Sequence, residues 1–126
     1  MYDRIIILES LENIEQSLND ILDWTVHIDS VDDFLKTSSG TILLNAVCMK
    51  LFAVCDELKS IDKRTEKQLF SLYPAINWKE AIKMRDIIAH HYFEIDAEIV
   101  FKTLQDDIQP LLLTIRQIIV DIKTIY

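Results

Sequence analysis

The sequence predicts an all-α fold, an up-and-down bundle of four long helices with one or two short ones. Three observations carry this. A single glycine, Gly40, and two prolines, Pro74 and Pro110, occur in 126 residues. That is too few turn-formers for the tight connections of a sandwich or barrel, while a bundle needs only a handful. Apolar residues recur at helical spacing along most of the chain. Half the residues are hydrophobic and 27% are charged, which marks a globular chain rather than a disordered one. The length fits one domain, residues 1–126, with a core of its own.

The first helix is expected from about Asp3 to His27. Its stripe Ile7, Leu11, Ile14, Leu18, Ile21 alternates spacings of four and three, one helical face held over four turns. Ser30 with Asp33 resembles a capping box that opens a short helix through Phe34 and Leu35. The run TSSG is expected to end it, with Ser39 or Thr41 capping the next helix. That helix, about Thr41 to Ser60, is apolar nearly all round, since twelve of the fourteen residues from Ile42 to Cys55 are apolar. It is therefore either central or shared with a second subunit. A polar connection, DKRTEKQ, leads to a short helix through Leu69, Phe70 and Leu72, stopped at Tyr73-Pro74. Asn77 with Glu80 caps a helix carrying Ile82, Met84 and Ile88. A break is expected over Tyr92 to Ile95, and Asp96 caps the following helix through Ile99, Phe101 and Leu104. Pro110 forces a kink or restart. A final amphipathic stripe follows through Leu111, Ile115, Ile118 or Ile119, and Ile122.

Several functions are disfavoured by composition. A net charge of −8 repels polyanions at long range, so DNA binding is not expected and RNA contact needs a local positive site. Cys48 and Cys55, about 10 Å apart along one helix, cannot form a disulfide and read as buried reduced thiols. That fits a reducing cytoplasm. MYDRIIILES lacks a secretory pattern, and the Ile42–Cys55 stretch by itself is too short for a bilayer. A soluble, cytoplasmic protein with no membrane partner is expected. One glycine rules out P-loop and GxGxxG phosphate cradles. No HExxH, paired CxxC or double His-helix pattern is present, so neither a metal nor another cofactor is expected. No serine sits on a nucleophile elbow, and both thiols lie in an apolar helix.

The chemistry concentrates in MRDIIAHHYF, residues 84–93. Arg85 and His90 are five apart, so on a regular helix they point about 140° apart. They can converge if the helix ends near His90, if the long arm of Arg85 reaches round, or if two copies meet across a dimer. Asp86 lies one turn before His90, a spacing that fits either a shared polar face or a solvated residue. Lys79 and Lys83 form an i,i+4 pair on the same helix. They are either a solvated face or a small positive patch that can accept an RNA backbone.

The stretch MRDIIAHHYFEIDAEIVFKTL resembles the signature of the HEPN superfamily, in its HepT-like branch. The hallmark Arg-x4-His-x-Tyr is matched by Arg85, His90 and Tyr92, followed by an acidic turn and a last amphipathic helix. The resemblance implies a HEPN-like bundle and a metal-independent endoribonuclease that works as a homodimer. Arg85 would clamp phosphate and His90 would act as acid or base. It also implies a toxin paired with a nucleotidyltransferase antitoxin of the MNT type, which adenylylates the motif tyrosine, here Tyr92. One departure stands out. The family commonly carries Gly-Glu late in the second long helix where this chain has Cys55-Asp56, so Asp56 keeps the carboxylate on a shorter arm. His91 gains no role beyond shaping the turn. The competing reading is a non-catalytic helical subunit of a nucleotidyltransferase, favoured by the −8 charge.

Overall fold

The computed structural model describes residues 3–90 and 95–125, without the side chains of Ala89 and His90. Six α-helices and one 3-10 turn occur among the described residues, in the order α1 (Arg4–Trp24), α2 (Asp32–Leu35), α3 (Ser38–Arg64), the turn Phe70–Leu72, α4 (Trp78–His90), α5 (Ala97–Asp106) and α6 (Ile108–Ile125). No strand is found among them.

Helix α1 is the stripe made solid. Ile7, Leu11, Ile14, Leu18 and Ile21 are all buried, each at 1% exposure or less. Burying each such side chain contributes about 1.5–3 kcal/mol before its ordering cost is counted. Asp3 caps the helix, its carboxylate accepting from the amides of Ile5 at 2.9 Å and Ile6 at 3.3 Å. The helix ends at Trp24, a turn short of His27. The Thr25 hydroxyl donates to the Ile21 carbonyl at 2.7 Å and closes the last turn.

The α2–α3 junction differs from the sequence expectation. The Ser30 hydroxyl does not cap α2; the Asp33 carboxylate instead reaches back to the Asp29 amide at 2.8 Å. TSSG does not separate the helices but begins the second one. Thr37 is the N-cap, accepting from Gly40 N at 3.0 Å, and Ser38 is already helical. Gly40 is needed for close approach rather than for a turn. A Cβ there would collide with the Asp33 carbonyl oxygen and lie 2.9 Å from that of Phe34.

Helix α3 runs 27 residues, a turn longer at its C-terminus than expected, because Ile61 still faces the core. By length and composition it could cross a membrane, which the shorter apolar stretch could not. Here it is the bundle's central helix, packed on α1, α2, α4 and α5. The expectation of an all-round apolar central helix holds, and one flank stays open, with Ile42 69% and Met49 66% exposed. The C-terminus closes through Lys67 N to the Asp62 carbonyl at 2.8 Å and Glu66 N to that of Lys63 at 3.2 Å. Glu66 and Lys67 take positive φ of 53° and 62° to do so, a left-handed helix end in the manner of a Schellman closure.

The connection to α4 is pinned at several points. Phe70 stacks on Trp78 with centroids 4.0 Å apart, and Trp78 Nε1 donates to the Tyr73 carbonyl at 2.8 Å. The Tyr73 hydroxyl donates to Asp121 on α6 at 2.6 Å. Asn77 and Asp96 cap α4 and α5 as their sequence patterns predict. Pro110 falls on the third residue of α6, where its missing N–H has no partner to lose. The predicted restart therefore occurs at Ile108, after Asp107. Helix α6 lies along α1, with Arg116 donating to Glu15 at 3.1 Å and Asn19 at 2.9 Å. Glu12 and Lys123 approach at 3.9 Å along the same seam.

Candidate active site

Packing of α4 on α3 brings together two predicted residues 29 positions apart. The Arg85 guanidinium lies against the Asp56 carboxylate, Nε to Oδ1 at 2.6 Å, with both side chains about half exposed. Its carbon sits 5.8 Å from the centre of the Phe52 ring, one turn earlier on α3. Phe52 carries no polar atom and was invisible as a site residue. Only its four-residue spacing from Asp56 could have pointed to it. A guanidinium held by one carboxylate oxygen and one ring face has lost much of its rotamer freedom. Its remaining N–H donors are free to aim at an anion.

Beneath this pair, Cys55 closes the helix–helix contact. Its thiol donates to the Ala81 carbonyl at 3.3 Å. Burial pushes the thiol up to about 11, with the Arg85 backbone amide pulling weakly the other way. Cys48, buried likewise, is also raised to about 11. Neither thiol is a nucleophile at neutral pH. Both are free, as their spacing along one helix requires. Cys55 is accommodated at this helix crossing because its sulfur finds the α4 carbonyl as a partner.

Arg85 and His90 lie on one helix, which is described through His90. The His90 side chain lies outside the described residues, as do His91 and Tyr92. Asp86 is exposed on α4. Lys79 and Lys83 are also exposed, without an ion pair among the described residues. They stand about 120–160° round α4 from Arg85, on its outer face rather than in the α3 groove. No cluster of three potential metal ligands occurs among the described residues.

A cavity of about 330 Å³ adjoins the Cys55–Ala81 contact, and both residues line it. It is lined by apolar side chains including Leu51, Leu58, Met84 and Leu111, with Glu80, Asp106 and Asp107 among its polar residues. It does not include Arg85 or Asp56.

A profile of the family described as Ribonuclease HepT-like matches residues 7–118. An inferred ribonuclease HepT of Thermococcus cleftensis is 31% identical, over 80% of this chain and 84% of its own length. Inferred RNases of Methanocaldococcus jannaschii are 28% identical over 90% of this chain and 87% of their counterpart, and 31% identical over 88% and 91%. No solved structure matches.

Proposed function

Because the chain belongs to the HepT-like ribonuclease family, we propose that it is a metal-independent endoribonuclease in which Arg85 clamps the scissile phosphate and His90 moves the proton. The 2′-hydroxyl of the RNA attacks its own phosphorus and gives its proton to a histidine. The bond to the 5′ oxygen breaks as that oxygen receives a proton, leaving a 2′,3′-cyclic phosphate and a 5′-hydroxyl. Histidine suits both transfers near neutral pH, and a fixed guanidinium suits the charge that builds on the phosphorane. The Asp56–Arg85 contact at 2.6 Å is the observation that carries this reading. It fixes, from α3, the direction of a clamp carried on the same helix as His90 and gives the carboxylate at the Gly-Glu position a task.

The reaction needs two proton positions, and a homodimer supplies two histidines to one groove. The open flank of α3, with Ile42 and Met49 exposed and Phe52 and Arg85 continuing it, offers an apolar face for such a second copy. In the cytoplasm, a nucleotidyltransferase antitoxin of the MNT type silences this toxin. The Tyr92 oxygen attacks the α-phosphorus of ATP and releases pyrophosphate, and the attached AMP occupies the cationic site as a product mimic. The second reading, a non-catalytic subunit of that nucleotidyltransferase, is favoured by the −8 charge.

The deciding experiment incubates purified chain with single-stranded and transfer RNA in EDTA, beside His90→Ala. Cleavage to cyclic-phosphate ends that disappears in the variant supports the nuclease. Intact RNA with wild type, or unchanged cutting by His90→Ala, removes it. For regulation, peptide mass spectrometry after co-expression with the nucleotidyltransferase should place AMP on Tyr92, and an adduct elsewhere overturns that assignment.

A further inference from the structure

An acidic protein that acts on RNA must collect its positive charge locally, and here the collection is uneven. Residues 59–85 hold seven basic side chains against three acidic ones, a net +4 inside a chain of −8. The cations elsewhere are largely spent: Lys36 on Asp33, Lys50 on Asp20, Arg116 on Glu15 and Lys123 on Glu12. Lys59 and Lys63, by contrast, are exposed and have no ion pair among the described residues.

Their position on α3 is what matters. At 100° per residue, Phe52, Asp56, Lys59 and Lys63 fall within an arc of about 60°, a single stripe down the helix. Two members of that stripe hold Arg85: Phe52 under its plane and Asp56 at its Nε. The lysines therefore continue, along the same face, from the guanidinium toward the C-terminal end of α3, about 10 Å beyond Asp56. The carboxylates around them do not cancel the stripe. Asp56 is engaged by Arg85, Asp62 is half-buried and about 60° beyond the edge of the stripe, and Glu66 lies past the helix end.

We propose that Lys59 and Lys63 hold the RNA backbone on one side of the scissile phosphate, extending the Arg85 site along α3. This rests on the nuclease reading above. Single-stranded RNA binds by phosphate neutralisation with release of counterions, which makes each lysine contact legible as salt dependence. These lysines bind and position substrate; the bond-breaking groups are elsewhere.

The test measures binding of a fluorescein-labelled single-stranded RNA oligonucleotide of mixed sequence to His90→Ala protein across a salt series. The same protein is compared with Lys59→Gln and Lys63→Gln added. The double substitution should weaken binding about tenfold at low salt and flatten the slope of log affinity against log salt by about 1.4, or 0.7 per lost contact. Lys59→Arg with Lys63→Arg should restore both, and Lys102→Gln on α5 should change neither. In the cleaving protein the double substitution should raise KM and leave kcat near wild type. Glutamine keeps helix propensity close to that of lysine, so folding is retained. An unchanged slope overturns the proposal while leaving the nuclease standing. If the slope flattens yet wild type cuts no RNA, the binding stripe stands and the nuclease reading falls. No RNA binding at any salt overturns both.

Discussion

Arg85 and Asp56 meet at 2.6 Å across the α3–α4 interface, with the guanidinium laid over Phe52. Both side chains remain about half exposed, which limits the pair's worth to stability to about 1 kcal/mol or less. Its value is orientation. The pair fixes where Arg85 points before any substrate arrives.

Replacing Asp56 with Asn should therefore separate activity from folding. RNA cleavage is expected to fall about tenfold, an orientation loss of about 1.4 kcal/mol in the transition state, while the melting temperature shifts only slightly. Asp56→Glu should recover much of the rate, because a carboxylate one methylene longer keeps the charge that holds the guanidinium. Equal cleavage by wild type and Asp56→Asn would mean that Arg85 needs no such holder.

Gly40→Ala should destabilise the fold although alanine favours helices. The added methyl runs into the Asp33 and Phe34 backbone carbonyls, which cannot rotate away as a side chain can. Overpacking of this kind costs about 1–3 kcal/mol, read as a fall in the denaturation midpoint. An unchanged midpoint would show that α2 can shift outward freely.

Asp107 at the α5–α6 junction carries a pH signature. Burial, then the charges of Asp106 and Glu80, hold its carboxyl above the ordinary range, against a weaker pull from Lys102. A folded-state value raised above the unfolded one disfavours the ionised fold, so stability is lost as pH rises through it. Asp107→Asn should melt higher than wild type at pH 7, with the gap closing as pH falls toward about 4, where the free carboxyl protonates too. A gap that widens on acidification would reverse the sign and the explanation.

What the sequence made legible was what local chemistry decides. The α1 stripe, the Asn77 and Asp96 caps and the restart at Pro110 each depend on residues within a turn or two, and each is found in place. The α2–α3 junction misled because TSSG has the composition of a breaker. The Thr37 hydroxyl and the space under Gly40 turned it into a helix start. The apolar stretch Ile42–Cys55 is only part of a longer helix, whose last turn is kept helical by Ile61 in the core. In the site, Arg85 and Asp56 were identifiable as residue types, but their meeting depends on how two helices cross. No spacing along the chain encodes that crossing. Phe52 and the lysines of α3 were missed for the same reason.

The seam between α1 and α6 bears on the order of events during folding. Its Glu15–Arg116 contact spans 101 positions, against 29 for Asp56–Arg85. Loop closure over the longer span costs more entropy, and non-local pairings are slow to form. The α3–α4 hairpin can thus organise the guanidinium while the chain is still emerging, and the last helix then closes on the first. A nascent chain halted before α6 would carry the Asp56–Arg85 contact without the closure of the last helix on the first, so the complete bundle waits for the final helix to be made.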